Sequence, residues 1–171
     1  FIGLGIIPVL IMSLLSINKS TNELMNEYFH QLESVRKIKQ NQIEGFFEER
    51  MADVEVYAFN SAVQKASQRF AKAYQQGGID GDQWQKWDNA HGPKLELYIE
   101  KYGYYDLFFI NPQGDVVYTV AKERDLGVNV KTGRVADSAL GNALQAGLDN
   151  TTITNFAWYD DSDEPASYVS T

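Results

Sequence analysis

The 171-residue chain contains no cysteine, only two histidines and few basic side chains. The absence of cysteine excludes disulfides, thiolate metal ligands and cysteine nucleophiles, and His30 and His91 alone are too few for a multi-histidine metal centre. Lys and Arg number 15 against 23 Asp and Glu, for a net charge of −8, which argues against binding to a phosphate backbone. We therefore expect no nucleic-acid partner, no metal, no other cofactor and no enzymatic activity.

Hydrophobic residues make up 44% of the chain and aromatic residues 13%, which is enough for one globular core. The acidic excess lies mainly in the second half, because residues 1–101 carry 11 basic and 13 acidic side chains whereas residues 102–171 carry 4 and 10. Hydropathy and charge predict three segments: an apolar segment at 1–17, a helical region at 18–101 and a strand-rich module at 102–171.

Residues 1–17 carry no charged side chain. A membrane-spanning helix needs about 20 apolar residues, so this run predicts the later part of a transmembrane helix that starts upstream. Gly3, Gly5 and Pro8 are compatible with that prediction, since bilayer helices tolerate them. The alternatives are the apolar core of a signal peptide and a buried helix. The prediction places this segment in a membrane.

Residues 18–59 contain no proline and one glycine, and their charged and amide side chains alternate with recurring apolar positions. The spacing predicts one long helix of some 40 residues, about 60 Å. An apolar stripe of this length needs a cover, and its spacing is close to that of a coiled coil. We expect a homodimer through this helix; the alternative is packing on its own domain. The first stripe residues are Leu24, Tyr28, Leu32, Val35 and Ile38.

Two further helical stretches follow, separated by a loop with three glycines at 77–81. The dipeptide Gly92–Pro93 predicts a kink or a restart in the second of them. His91 has no second ligand at a metal-binding spacing, so we interpret it as a structural or surface residue.

Strand periodicity begins after Gly103. Alternating apolar residues at 105–110 and 116–120 flank Asn111–Gly114, which predicts a β-hairpin with a type I turn. A short helix is predicted at 137–147, capped by Asp137 or Ser138, with strands at 151–155 and 166–171. Segregated helices and antiparallel strands define an α+β fold.

Three stretches of the module, 104–120, 154–159 and 164–171, resemble the Cache/PAS-like extracytoplasmic sensors of bacterial methyl-accepting chemotaxis proteins. The order of the predicted membrane helix, long helix and sensor module is also similar to theirs. The resemblance implies a PAS-like antiparallel sheet, here truncated at the C-terminus. It further implies a homodimeric receptor of the bacterial inner membrane, whose residues 18–171 are periplasmic. Such a receptor relays ligand binding to cytoplasmic signalling partners. Sensor regions of histidine kinases or cyclic-dinucleotide enzymes are the alternatives.

Aromatic and polar residues of the module suggest a small-molecule pocket, since rings enclose a ligand and polar atoms orient it. A cationic ligand would gain cation–π contacts from the rings and a counter-charge from Asp160. The alternatives are ordinary core packing, an interaction module without a small ligand, and a hydrolase that uses the acidic residues 160–164. The predicted ligand-binding residues are Phe108, Tyr118, Thr119, Trp158, Tyr159 and Asp160.

Overall fold

The computed structural model describes residues 2–171, with the side chains of residues 11–13, 16–17 and 19–171. The chain divides into two compact units, residues 1–47 and residues 48–171. We describe them as unit 1 and unit 2. Helix α1, Ile2–Phe59, supplies all of the described part of unit 1 and the first residues of unit 2.

Unit 1 is a single helix whose described side chains are exposed almost throughout. Local pairs support it: Gln40 donates to Glu44 at 2.8 Å, and Lys19 lies 3.8 Å from Glu23. Such pairs at i and i+4 contribute a few tenths of a kcal/mol each. The long helix predicted for residues 18–59 is therefore confirmed. In unit 1 the exposed large apolar side chains after residue 20 are Leu24, Met25, Tyr28, Phe29, Leu32, Val35, Ile38, Ile43 and Phe46.

The predicted transmembrane helix at residues 1–17 is contradicted. Within the described residues, none of the helices combines the length and the hydropathy that crossing a bilayer requires. The polar residues Asn18 and Lys19 follow the charge-free run directly. The inner-membrane location, with residues 18–171 in the periplasm, depended on this helix and is corrected with it. Phe1, the first residue of the prediction, lies outside the described residues.

Unit 2 contains the end of α1 and three further helices, α2 at Ser61–Gly77, α3 at Asp82–Tyr102 and α4 at Ala139–Gly147. The side chain of Asn60 caps α2 by accepting from the Ala62 amide at 2.9 Å. Ser138 caps α4 in the same way, through the Gly141 amide. Both residues are typical N-caps, because a short side-chain oxygen satisfies an otherwise unpaired backbone N–H. The short helix predicted at 137–147 is confirmed.

The predicted restart at Gly92–Pro93 is wrong, because α3 continues as one helix through Pro93. The alternative of a kink there stays a prediction. Close packing at Gly92 accompanies this continuity. A Cβ at that position would lie 2.8 Å from Asp88 Oδ1 and 3.5 Å from the Tyr118 hydroxyl. Glycine at this position therefore leaves room for the Asp88 and Tyr118 side chains.

The described strands form three separate two-stranded antiparallel ladders rather than the single PAS-like sheet that was expected. β1, Phe108–Ile110, pairs with β2, Val116–Thr119, with an irregularity between Phe109 and Ile110. β3, Thr152–Ile153, pairs with β6, Val169–Ser170. β4, Ala157–Tyr159, pairs with β5, Glu164–Ala166. The α+β class is confirmed, and the sheet is corrected to short ladders.

The turn between β1 and β2 follows its predicted chemistry. The Gly114 amide donates to the Asn111 carbonyl at 2.9 Å, and the φ of Gly114 is 96°. A side chain would be strained at this φ, so glycine is needed where the chain re-enters the strand. The predicted hairpin is therefore confirmed.

Two hydrophobic cores lie on either side of this hairpin. In the first, α2 and α3 pack on β1 and β2, and Phe70 lies at the centre with ring centroids 4.3 Å from Tyr118 and 5.7 Å from Trp84. The Trp84 indole donates to the Val117 carbonyl at 2.8 Å. In the second, Val116 of β2 packs with residues of the following loop, α4 and β4, namely Val130, Val135, Leu140 and Tyr159. Every residue of β2 is buried as a result.

Candidate ligand-binding site

A cavity of about 650 Å³ lies within unit 2. Its lining residues come from the end of α1, from α2, α3 and α4, from strand β1, and from the segment that carries β4, β5 and β6. This volume is within the range of small-molecule sites, which are mostly apolar with a few orienting polar groups. The aromatic residues that line it are Tyr57, Tyr98, Tyr104, Tyr105, Phe108, Phe109, Phe156, Tyr159 and Tyr168.

The helical wall is a group of tyrosines. Tyr57 of α1 stacks on Tyr98 of α3, with ring centroids 3.6 Å apart and an interplanar angle of 17°. Tyr104 lies parallel to Tyr98 at 6.3 Å. Burial raises the pKa of Tyr57 to about 12, and within the described residues the buried Tyr98 hydroxyl has no hydrogen-bond partner. Both rings remain neutral at physiological pH and line the cavity.

The opposite wall carries a second aromatic group. Tyr168 makes edge contacts with Phe108 at 5.9 Å and with Tyr159 at 5.6 Å. The Tyr159 hydroxyl donates to Asp125 Oδ2 at 2.8 Å. Burial, followed by that hydrogen bond, raises the pKa of Tyr159. The ring is therefore held in place from behind while it lines the cavity.

Behind this wall lies a group of charged residues. Asp125 is fully buried, and its Oδ1 has no partner among the described residues. Burial raises the pKa of Asp125 to about 6. Arg134 binds Asp161 with two hydrogen bonds, at 2.6 and 2.7 Å, so the charge of Asp161 is compensated. Asp161 is thereby engaged within the fold.

Asp106 fixes the start of β1 at the edge of the cavity. Its carboxylate accepts from the backbone amides of Leu107, Val120 and Ala121, at 2.6 to 3.0 Å, and from the Thr119 hydroxyl. Burial raises the pKa of Asp106, and these hydrogen bonds oppose that rise. The residue joins the two strands at the end of the hairpin remote from the turn, which is a structural role.

Two further carboxylates, those of Glu123 and Glu164, lie near Tyr105. The Tyr105 hydroxyl donates to Glu123 Oε1 at 2.5 Å. That bond is the main reason why the pKa of Tyr105 rises to about 12, and the charges of Glu123, Glu164 and Asp106 add to it. Tyr105 is largely exposed and Glu164 is exposed, so this acidic group lies at the rim of the cavity.

The structure brings two of the six predicted ligand-binding residues to the cavity, Phe108 and Tyr159. Tyr118 and Thr119 are buried in the hairpin instead, Tyr118 against Phe70 and Thr119 bonded to Asp106. The other two lie outside the cavity lining. Trp158 is 62% exposed, and Asp160 is an exposed residue whose carbonyl accepts from Arg124.

Sequence reasoning missed the tyrosines of the helical wall and the rim carboxylates. Tyr57 belongs to the apolar stripe of the long helix, and Tyr98 to the stripe of α3, so each resembles a core position when it is considered alone. The ten tyrosines of the chain were the available signal, since tyrosine combines a flat apolar ring with a polar end.

Within residues 2–171, no group of three or more His, Asp or Glu side chains is placed to hold a metal ion.

Compared with known proteins, the chain matches no family model, no curated protein and no solved structure. The resemblance to Cache/PAS-like sensors stays a prediction from the residues that carry it.

Proposed function

We propose that the chain is a small-molecule sensor in which the cavity of unit 2 binds the ligand. The observation that carries this proposal is the aromatic cavity of about 650 Å³. Rings enclose it on two sides, and a few carboxylates, amides and hydroxyls at its edge are available to orient a ligand. The resemblance of residues 104–120, 154–159 and 164–171 to the sensors of methyl-accepting chemotaxis proteins supports the same class.

The composition of the cavity suggests how binding is reported. Val54, Tyr57 and Ala58 of α1 line it together with residues of the hairpin. A ligand that fits one position of this helix end better than another shifts the population between them. The response is then a change of helix position rather than a chemical reaction, as in other sensors that couple binding to small helix displacements.

The proposal includes a homodimer formed through α1. Between residues 24 and 43 the helix exposes eight large apolar side chains, and Leu24, Leu32 and Ile43 are each more than half exposed. The stripe covers about 30 Å of helix at a spacing close to that of a coiled coil. A second copy of the same helix offers an identical stripe, and a symmetric pair would cover both.

A ligand screen with a blocked cavity tests the sensor proposal. We expect at least one amino acid, organic acid or amine to raise the melting temperature of the protein, by a few degrees at 100 times its Kd. The variant Ser67→Trp places a large ring in the cavity, because Ser67 of α2 lines it. This variant should lose the ligand-induced shift.

The matched control is Gln75→Trp, on the exposed surface of the same helix and outside the cavity lining. It should keep the full shift. The proposal fails if no compound stabilises the wild-type protein, or if Ser67→Trp folds and responds as the control does.

A further inference from the structure

We propose that the ligand of this cavity is an organic cation, an amine or ammonium group on an apolar body. The inference rests on the proposed sensor function and adds the chemical class of what is sensed. It is carried by the charge of the lining, which is of one sign, and by the aromatic walls.

The charged residues that line the cavity are Asp106, Glu123 and Glu164, and among the described lining residues there is no Lys, Arg or His. Asp106 already accepts four hydrogen bonds from the hairpin. Glu123 accepts one from Tyr105. Within the described part of the chain, the Glu164 carboxylate has no hydrogen bond or ion pair. The rim therefore holds two carboxylates with unused acceptor capacity.

The basic side chains closest in sequence to the rim are engaged elsewhere. Arg134 holds Asp161, Arg124 donates to the Asp160 carbonyl, and Lys122 lies 2.5 Å from Asp88. These three basic side chains therefore do not neutralise the carboxylates of the rim, which keeps a negative potential. Such a potential attracts a cationic ligand and repels an anionic one.

The walls suit the rest of such a ligand. The stacked pair Tyr57–Tyr98 and the pair Phe108–Tyr168 both line the cavity. The face of an aromatic ring attracts a cation and also packs against apolar groups. A flat or branched apolar body would fill the space between the rings while its ammonium group bonds to the carboxylates.

Three probes of similar shape and different charge test the inference: the 2-phenylethylammonium cation, neutral 2-phenylethanol and the 3-phenylpropanoate anion. We expect isothermal titration calorimetry with the purified chain at pH 7 to give about tenfold tighter binding of the cation than of the alcohol. The anion should bind more weakly than either. Equal or tighter binding of the alcohol or the anion would overturn the inference.

Charge-removing variants that keep the side-chain shape locate the effect. Glu164→Gln and Glu123→Gln should each weaken binding of the cation by about three- to tenfold and leave the affinity for the alcohol unchanged. The control Glu100→Gln removes an exposed carboxylate of α3 that lies outside the cavity lining and should change neither. Unchanged affinity for the cation in both rim variants would contradict the assignment.

The two proposals fail in different ways. In one outcome another compound of the screen binds, Ser67→Trp abolishes that binding, and the protein binds the phenylethyl cation no more tightly than the alcohol. The sensor proposal then stands and the cation class is wrong. If no compound of any charge binds, the sensor proposal fails and the cation class fails with it.

Discussion

Phe29 and Phe70 illustrate the difference between the two units. Both are phenylalanines within a helix, yet Phe29 in unit 1 is 63% exposed and Phe70 in unit 2 is 0% exposed. α2 finds α3 and the β1–β2 hairpin as its cover within the same unit. Recurring apolar residues in a helix therefore accompany a core in one region and an exposed surface in the other, and the sequence pattern alone does not distinguish the two.

The largest expected effect separates the two units by stability. Phe70→Ala should lower the free energy of unfolding of unit 2 by about 3–5 kcal/mol, because it opens a cavity among Trp84, Phe109 and Tyr118. Phe29→Ala in dilute protein should change it by less than about 0.5 kcal/mol. Urea unfolding followed by tryptophan fluorescence reports on unit 2, since all three tryptophans belong to it. Similar losses in the two variants would remove the distinction between the units.

The second effect is a pH dependence confined to unit 2. Burial raises the pKa of Asp125 from 3.8 to about 6, so the native state binds a proton that the unfolded state releases at a lower pH. The stabilisation from this proton is complete below about pH 4 and is lost as the pH rises through 6, by roughly 3 kcal/mol in total.

The variant Asp125→Asn should lack this loss, because its amide is neutral at every pH and keeps an oxygen for the Tyr159 hydroxyl. Urea unfolding at pH 4, 5, 6 and 7 measures the difference between wild type and variant. The control Asp149→Asn, at an exposed site, should follow the wild-type curve. A parallel curve for Asp125→Asn would show that this carboxyl is not responsible.

The smallest effect concerns unit 1. Leu32→Ala should raise the dissociation constant of the proposed homodimer by about tenfold or more, because it removes from each copy a leucine that the other copy would cover. Sedimentation equilibrium measures the dissociation constant. Lys37→Ala lies about 140° further around the helix, outside the stripe, and should leave that constant within about twofold. Wild-type protein that stays monomeric at high concentration would refute the homodimer.

The parts of the fold that follow from local chemistry were predicted correctly. The Asn111–Gly114 turn and the Ser138 cap are determined by a few adjacent residues, and the structure confirms both. The β4–β5 ladder was missed because its turn, residues 160–163, consists of acidic residues and a serine and has no glycine. Asp163 supplies the positive φ instead, at 55°, which Asp tolerates better than most residues.

The candidate site was harder to predict, since it depends on contacts between residues far apart in the sequence. Tyr57 meets Tyr98 across 41 residues, and Phe108 meets Tyr168 across 60. The alternation of residues along the strand did not predict which face of the hairpin Tyr118 occupies. Its side chain packs against the helices and does not line the cavity. The transmembrane prediction had a different source, the charge-free run of residues 1–17, and within the described residues the helices lack the length and hydropathy that a bilayer span requires.

The carboxylate of Asp106 joins both strands of the hairpin at its open end, while the Asn111–Gly114 turn closes the other. A ribbon fastened at both ends cannot fray, so its amides should be among the last in unit 2 to exchange with deuterium. The sheet side of the cavity is then a fixed wall. We therefore expect ligand-induced movement in the other lining elements, among them the last turn of α1, where Tyr57 stacks on Tyr98.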